Sequence, residues 1–425
     1  MERVQKYSQL LDELLSFEDP QVALRLLRNC AGVCKVTHSM CMTPPALHSN
    51  ALADFDNKVR DTFSHTTGIL PSSSQWEQAT CGLKYAGVGL RSAQRHSQAA
   101  FLTSSCTSKD RCYELDKHYM LDAANPTSEF GQALAGYNAM LPVDQHLAAP
   151  DIIGIKQQAL SVSLDKAVFE ARRAEECPAN KATLLSECER GARDLWQAVP
   201  NHSGGTAMPA AEFCAELRYR LCIPSADNSS WCPLCNDVLD QFGHHSRRCC
   251  AGGDRVVRHN ALRNVVFNFC CTAGLRPVLE KPGLLLPARP SEISSQRRPA
   301  DIYLPCWTGG LPAALDFAVT APQRQEIVSE AAHTPLAAAK AYSQSKRDHQ
   351  GTQDACDAQG IRFQPMVCET SGAWSTEALE VLQLIAKAAA SHTGSDHKTL
   401  LQGTLQRCAA VVRKANARAH FKRYN

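Results

Sequence analysis

The chain has 425 residues, of which 44% are hydrophobic and 20% are charged. This length and composition supply apolar side chains for roughly two to four folded domains, which excludes a disordered tail protein. The formal net charge of +3 is too small to indicate a partner, so only the local distribution of charge bears on nucleic-acid binding.

The 20 cysteines are expected to be reduced. The sequence starts MERVQKYSQLLDELL, which lacks the apolar region of a signal peptide, and no run approaches the roughly 18 apolar residues of a membrane span. We therefore expect nuclear or cytoplasmic localisation and no membrane partner. In these compartments paired cysteines more often bind metal than form disulfides.

The first half of the chain is predicted to be helical. Asp19 followed by Pro20 is typical of a helix start, and apolar residues at helical spacing follow. A second helix is predicted at 46–63. Gly87 and Gly89 predict a turn into a third helix that ends near residue 104, and a tight turn explains these glycines without a bound phosphate.

The next segment has few motifs. Helical runs are predicted at 161–174 and 182–199, and the glycine-rich stretch 201–211 is predicted to be a linker. We divide the first half of the chain into a helical region at 1–113 and a helical connector with its linker at 114–205.

A group of cysteines and histidines has the spacing of a metal site. The predicted ligands form the pattern Cys-x2-Cys-x9-His-x3-Cys: Cys232, Cys235, His245 and Cys249. Three thiolates and an imidazole suit tetrahedral zinc, and four protein ligands predict a closed, structural site. His244 and Cys250 are adjacent alternatives that spacing does not exclude, and incidental thiols in a cysteine-rich chain are the other interpretation. This module is placed at 206–255.

A cluster of phosphate donors follows the cysteines. The segment GGDRVVRHNALRN supplies cationic and polar side chains suited to phosphate oxygens: Arg255, Arg258, His259, Asn260 and Arg263. We predict that the first four of these and Arg298 contact nucleic acid. A solvated helix start would explain the same charges.

Two aspartates are predicted to meet in one hairpin. Residues 302–304 and 313–319 are strand-like, and the turn residues 308–310 lie between them. A register centred near that turn places Asp301 opposite Asp316, with Cα atoms about 4.5 to 5.5 Å apart. Paired carboxylates repel unless a cation lies between them, and oxygen ligands favour Mg²⁺. Two surface aspartates are the alternative interpretation.

A metal-dependent nuclease also needs a cation near the carboxylates. Ala318 occupies the position where an Asp-x-Lys motif would have its lysine. A helix predicted at 329–350 supplies Lys346, which we prefer, and Lys340. Glu280 and Glu369 are candidates for a third carboxylate.

Several segments together resemble a known family. CPLC, DQFGHHSRRC, GGDRVVRHN, RPAD and LDFAVT occur in the order found at the C-terminal end of non-LTR retrotransposon proteins with a restriction-like endonuclease. The resemblance continues through AAAKAYSQSKRDHQ, GIRFQPMV and ETSGAW. It implies a CCHC zinc knuckle followed by a PD-(D/E)XK-type nuclease that nicks target DNA to prime reverse transcription.

The upstream segments LLRNCAGVCKVTHSM, ADFDNKVRDTF and YAGVGLRSAQRHSQAAFLTS resemble the thumb and connector of the same proteins. The chain departs from the family in four places. It contains no Tyr-x-Asp-Asp or Phe-x-Asp-Asp motif, so polymerisation is not expected. The catalytic lysine has moved from the strand to a helix, as in restriction-like enzymes with a migrated lysine. Ala300 separates the proline and aspartate of the nuclease motif, a spacing that several relatives share. His244 stands where the knuckle usually has an acidic residue.

The expected fold is therefore α+β. It has a helical N-terminal half, a small zinc knuckle, a restriction-endonuclease-like α/β domain at 256–392 with a mixed sheet flanked by helices, and a basic helical tail at 393–425. That tail has seven Lys or Arg residues from Lys398 onward and no acid, which predicts contacts with a nucleic-acid backbone.

The predicted function is a Mg²⁺-dependent DNA endonuclease with a structural zinc, the target-nicking module of a retrotransposon-derived protein without a palm. Its expected partner is DNA, with element RNA as a second candidate, and cooperation with a separate reverse transcriptase subunit is left open. The main alternative is a catalytically inactive nucleic-acid-binding remnant. A third interpretation is an unstable relic whose thumb exposes apolar surface.

Overall fold

The computed structural model describes residues 2–286 and 297–424, so residues 287–296 of the predicted nuclease domain lie outside it. The chain divides into two compact units, Met1–Glu175 and Glu176–Asn425. The division falls inside the predicted connector at 114–205. Helices predominate and the strands form small sheets, which confirms the α+β class. Among the described helices, none is both long and apolar enough to cross a membrane.

Among the described residues of the first unit, the regular elements are all helices. Its helices are α1 (Glu2–Leu14), α2 (Pro20–Leu26), α3 (Thr37–Met42), α4 (Pro45–Thr67), α5 (Ser73–Thr80), α6 (Ala93–Leu115), α7 (Glu129–Asn138), α8 (Ala149–Ile152) and α9 (Gln157–Glu175). The carboxylate of Asp19 caps α2 by accepting from the backbone N–H groups of Gln21 and Val22, at 2.8 and 3.1 Å. This cap confirms the predicted helix start.

The second unit contains the remaining helices and all described strands. Its helices are α10 (Pro178–Glu187), α11 (Ala210–Arg220), α12 (His244–Arg248), α13 (Asp254–Thr272), α14 (Val328–Ala331), α15 (Ala337–Asp348), α16 (Thr352–Asp357), α17 (Thr376–Thr393) and α18 (His397–Tyr424). Its strands are β1 (Ser230–Trp231), β2 (Val238–Leu239), β3 (Val278–Leu279), β4 (Ile302–Leu304), β5 (Ala313–Thr320) and β6 (Arg362–Glu369).

A four-stranded mixed sheet forms the centre of the second unit. Its order is β3-β4-β5-β6, in which β4 is antiparallel to β3 and β5 whereas β6 is parallel to β5. A parallel pair needs a crossover, which α14, α15 and α16 supply. Strands β1 and β2 pair separately in the cysteine-rich module.

Helices cover both faces of this sheet. On one face, Leu315 and Phe317 of β5 pack with apolar residues of α13, α17 and α18. On the other face, Ala318 packs with Ala339 of α15, while Ala314 packs with Cys356 of α16. Because β5 is covered on both sides, nearly every residue along it is apolar, and the polar Asp316 stands out.

Two predicted helices differ from the structure. The run at 329–350 is interrupted between α14 and α15, because Pro335 cannot continue a helix and Leu336 has a left-handed φ of 60°. The run at 182–199 ends at Glu187. Gly191, with φ of 91°, packs so closely that a Cβ there would lie 2.1 Å from the carbonyl oxygen of Gly372, so the chain turns instead.

A buried ion-pair network ties four helices of the second unit together. It comprises Glu187 of α10, Glu216 and Arg220 of α11, Arg247 of α12 and Arg413 of α18. Arg413 lies 2.6 Å from Glu187 and 3.2 Å from Glu216. The predicted tail is thus a helix packed into the interior.

Candidate active site and metal cluster

The predicted aspartates face each other across the β4–β5 hairpin. Ile302 pairs with Leu315, and the backbone N–H of Asp301 donates to the carbonyl of Leu315 at 3.0 Å. Continuing the same register places Asp301 opposite Asp316. The strand positions and the pairing of the carboxylates are as the sequence predicts.

Asp301 is held in place by two donors. Its Oδ2 accepts from the backbone N–H of Phe317 at 2.6 Å and lies 3.1 Å from Nε2 of His259. Burial favours the neutral acid, but His259, the Phe317 amide and Lys346 together lower the pKa of Asp301 below its usual value. Asp301 is therefore the carboxylate of the pair that ionises first.

Asp316 lies in a different electrostatic environment. Its Oδ2 is 2.7 Å from Nζ of Lys346, and both side chains are largely buried. Burial raises the pKa of Asp316 to about 6 against the opposing effect of Lys346, and the nearby Asp301 carboxylate raises it further. Two carboxylates within hydrogen-bonding reach need a proton or a cation between them.

His259 supports the carboxylate pair from α13. Its Nδ1 lies 3.2 Å from Oδ1 of Asn260, while its Nε2 contacts Asp301. The hydrogen bond to Asp301, opposed by burial, raises the pKa of His259 because the imidazolium can donate from both nitrogens. The sequence predicts these two residues as phosphate contacts, whereas the structure gives them a role in orienting Asp301.

A basic cavity opens beside Asp316 and Lys346. It has a volume of about 350 Å³, and Arg297, Arg298 and His349 contribute to its lining. Arg298 is 63% exposed and is a predicted nucleic-acid contact. Cationic donors around a half-buried carboxylate are suited to a ligand that carries phosphate oxygens.

Of the other candidate carboxylates, Glu280 neighbours Asp301, since its backbone N–H donates to the Asp301 carbonyl at 3.0 Å, whereas Glu369 lies apart from the pair. Glu280 pairs with Arg263 at 2.7 Å and lies 3.6 Å from Arg298, which places it at the rim beside β3. Glu369 pairs with Thr320, four residues beyond Asp316 along β5, or about 13 Å away. It is buried, and burial raises its pKa to about 7. We correct the assignment of Glu369 as a third carboxylate, because it accepts from the Ala339 amide instead.

The two candidate lysines lie on different sides of α15. Lys346 contacts Asp316, whereas Lys340 lines a separate cavity of about 550 Å³ together with Arg347 and Glu377. Six residues of helix rotate the side chain by about 120°, so the two lysines cannot face the same carboxylate. The structure therefore brings only the preferred lysine to Asp316.

Arg258 and most cations of the tail, all predicted phosphate contacts, bond to other groups of the protein instead. Arg258 is buried and donates to Oδ1 of Asn416 at 2.7 Å and to the carbonyl of Arg247 at 3.0 Å. A phosphate contact needs an exposed guanidinium, so this assignment is corrected, while Arg255 is exposed as predicted.

The basic tail is also corrected. In addition to Arg413, its cations contact groups of the same unit: Lys414 with the Gly205 carbonyl, Arg418 with Glu212, and Lys422 and Arg423 with Asp254. In the sequence these cations form one charged run, because their acidic partners lie up to 226 residues away. The tail is therefore mostly charge-compensated.

The predicted cysteine cluster comes together in space. The ligand atoms of Cys232, Cys235, His245 and Cys249 all lie within 4.8 Å of one another. Sγ of Cys235 is 3.3 Å from Nε2 of His245 and 3.5 Å from Sγ of Cys249. A backbone hydrogen bond at Asp237 lowers the pKa of Cys235, but burial and the neighbouring thiols raise it to about 11. The neighbouring sulfurs thus disfavour the thiolate form of Cys235, and a bound cation would stabilise it. The cluster could therefore hold a metal such as zinc.

The structure also separates His245 from its alternatives. Nδ1 of His245 lies 3.3 Å from Asp237, a carboxylate that can orient the ring so that Nε2 faces the cluster. His244 instead points to Oδ1 of Asn180 at 2.9 Å, and burial lowers its pKa to about 4. Cys250 is exposed and accepts from Arg255.

No protein-family model and no curated protein matches the chain. Function is therefore inferred from the positions and contacts of its side chains. Sequence reasoning missed Tyr342 and His349, which line the cavity with Lys346. They lie four residues before and three residues after that lysine, so helical spacing from Lys346 would have found them.

Proposed function

We propose that the second unit is a metal-dependent DNA endonuclease. One observation carries this proposal: Asp301 and Asp316 are opposed on a hairpin, Lys346 lies 2.7 Å from Asp316, and a basic cavity opens beside them. The mixed sheet with helices on both faces supports a restriction-like PD-(D/E)XK domain, which the sequence resemblance implies.

The carboxylate pair suits Mg²⁺ better than a softer metal. Its donors are oxygens, and the contact between the carboxylates favours a bound cation over two free charges. When bound, Mg²⁺ would supply positive charge at the scissile phosphate and activate water. Asp301 and Asp316 would hold it, with His259 and the Phe317 amide fixing the orientation of Asp301.

The other side chains act on the phosphate. In hydrolysis, a water oxygen forms a new bond to phosphorus and releases a proton to solvent, while the bond from phosphorus to the leaving sugar oxygen breaks and that oxygen gains a proton from solvent. Lys346 would donate to a phosphate oxygen and stabilise the charge that develops there. Arg297 and Arg298 line the same cavity and would hold the DNA backbone.

The cysteine cluster would hold zinc in a closed site. Three thiolates and one imidazole fill a tetrahedral shell and leave no position for substrate. Zinc would then stabilise the module formed by β1, β2 and α12, as in the CCHC knuckle that the sequence resembles. The complete proposal is the target-nicking module of a retrotransposon-derived protein that acts on DNA.

The proposal is tested by nicking of supercoiled plasmid with Mg²⁺ or with EDTA. We expect the wild type to nick only with Mg²⁺, and the double variant Asp301→Ala/Asp316→Ala to lose nicking. Asp357→Asn, which changes an exposed carboxylate of α16, is the matched control and should remain active. Metal-dependent nicking that survives in the double variant would show that the assignment is wrong.

A second candidate, binding without cleavage, is favoured by the shortage of carboxylates. Glu369 lies about 13 Å along the strand. Glu280 neighbours Asp301 through its backbone, but its carboxylate is ion-paired with Arg263, so among the described candidates two acidic side chains meet at the site. A folded wild type that contains zinc and binds DNA, but nicks it neither with Mg²⁺ nor with Mn²⁺, would establish this alternative.

A further inference from the structure

A second cavity lies between the cysteine cluster and the carboxyl end of β5. It has a volume of about 560 Å³ and is bordered by Cys235 and Cys249 on one side and by Thr320 and Ala321 on the other. Tyr342 lines both this cavity and the 350 Å³ cavity beside Asp316. The two cavities therefore meet at one aromatic side chain. We call the larger one the cluster groove.

The cluster groove has an excess of positive charge. Arg248, Arg255 and Arg324 contribute to its lining, against the carboxylates of Asp237 and Glu326. Arg248 is 3.9 Å from Asp237, at the long limit of an ion pair, and both residues are partly exposed. Exposed pairs of this kind are weak, so Arg248 can exchange its partner for a phosphate oxygen. Among the described residues Arg255 donates only to Sγ of Cys250, whereas Arg324 is paired with Glu326 through Nε at 2.8 Å.

A buried arginine also lines the groove. Arg258 is 4% exposed, and its Nε has no hydrogen-bond partner among the described residues. Its guanidinium donates to Asn416 and to the Arg247 carbonyl, so the more exposed arginines, rather than Arg258, favour an anionic ligand in the groove.

The size of the groove and its aromatic side chain indicate which anionic ligand fits. A cavity of 560 Å³ is the size of a small-molecule pocket, so it accommodates about one or two nucleotides but not a double helix. The guanidinium of Arg324 lies 5.6 Å from the centroid of the Tyr342 ring. A phenol ring beside a cationic groove is typical of sites for unpaired nucleic acid, where bases stack on aromatic rings.

We propose that the cluster groove binds unpaired DNA that flanks the scissile phosphate. This inference rests on the proposed function, because the strand would pass from the carboxylate pair along Tyr342 to the arginines. Arg248, Arg255 and Arg324 contact its phosphates, and Tyr342 stacks on a base. The preferred substrate is then DNA with an unpaired segment beside the duplex.

The test measures binding in EDTA, so it does not depend on cleavage. Two fluorescent DNAs are compared by anisotropy: a blunt duplex, and the same duplex with a single-stranded flap. The variant Arg255→Gln/Arg324→Gln removes two phosphate contacts. Arg362→Gln is the control, since Arg362 is exposed and lies at the opposite end of β5, beside Ala313.

We expect the double variant to lose about tenfold or more in affinity for the flap substrate and little for the blunt duplex. The slope of log affinity against log salt should become shallower by about 1.4, because each phosphate contact on a single strand contributes about 0.7. Tyr342→Leu should weaken flap binding by roughly five- to 150-fold with little change in that slope, because it removes stacking and no charge.

Equal losses on both substrates would overturn the proposal in favour of a duplex-backbone site. Unchanged flap binding would show that the groove is not a strand site. If the double variant loses its metal or its fold, Arg255→Lys/Arg324→Lys and Tyr342→Leu are used in its place. The lysine variant is then expected to retain flap binding, and Tyr342→Leu is expected to lose it. Failure of plasmid nicking alone would affect only the endonuclease proposal.

Discussion

The cysteine cluster and the carboxylate pair both gather side chains that can hold a metal, but they differ in what else reaches them. In the cluster, four ligand atoms lie within 4.8 Å of one another, which is the number that a tetrahedral zinc shell requires. At the carboxylate pair, Asp316 and Lys346 line a basic cavity, and Asp301 lies opposite Asp316. The difference teaches that a closed shell stabilises the fold, whereas an incomplete shell beside a cavity leaves room for a substrate.

The largest effect is expected from opening the closed shell. Cys249→Ser should abolish stoichiometric zinc binding and unfold the module of β1, β2 and α12, because structural zinc contributes about 10–16 kcal/mol in small zinc domains. Cys250→Ser should keep one zinc per chain. The measurement is metal content after dialysis, with far-UV circular dichroism. Full zinc retention by Cys249→Ser would place the ligand elsewhere and weaken the contrast between the two regions.

The buried ion-pair network contains charges that stabilise the fold rather than bind a ligand. Arg413→Met should lower the free energy of unfolding by about 3–5 kcal/mol, because it leaves Glu187 and Glu216 buried with one cation fewer. Arg418→Met on the same helix removes an exposed cation and should cost less than about 1 kcal/mol. Urea denaturation at neutral pH measures both, and equal costs would remove the distinction between interior and surface charge.

Replacing the cation of the carboxylate pair by methionine should affect activity more than stability. Lys346→Met should slow Mg²⁺-dependent nicking by about 10²–10³-fold, the usual effect of losing one group that stabilises transition-state charge. The free energy of unfolding should fall less than in Arg413→Met, because Asp316, with its raised pKa of about 6, can take up a proton when Lys346 is lost. Lys340→Met on the same helix is the control and should retain activity. If both variants lose activity equally, Lys346 has no special role at Asp316.

The smallest effect concerns Glu369, a buried carboxylate without a paired cation. Burial raises its pKa from 4.5 to about 7, although Ser186 and the Ala339 amide oppose this shift. Between these pH values the unfolded chain loses the proton and the folded chain keeps it. The free energy of unfolding should therefore fall by up to about 3 kcal/mol as pH rises from 4.5 to 7.

Glu369→Gln should remove this pH dependence. The variant should be more stable than the wild type at pH 8 and similar to it at pH 5, whereas Glu380→Gln, which alters an exposed carboxylate on α17, should behave as the wild type. Chemical denaturation across this range measures the effect. A wild type whose stability does not fall with pH would mean that Glu369 is ionised and compensated in the folded protein.

Local chemistry allowed much of the second unit to be predicted from sequence. The strands β4 and β5 follow from short apolar runs around turn residues, and hairpin register then pairs Asp301 with Asp316. The Cys-x2-Cys-x9-His-x3-Cys spacing predicts the four residues whose ligand atoms meet. These features depend on residues close in the chain, where spacing limits geometry.

Tertiary structure decided what distant residues do. The sequence predicts that Arg258 and Arg413 are surface cations, but both are buried. Arg258 contacts Asn416, and Arg413 contacts Glu187 and Glu216. Spacing alone does not distinguish His244 from His245 as a ligand. In the structure His244 contacts Asn180, whereas His245 contacts Cys235 of the cluster. Sequence thus determined which ionisable groups are present and their local spacing. Folding decided which of them are compensated, because burial and partners far along the chain set the free energy of each charge.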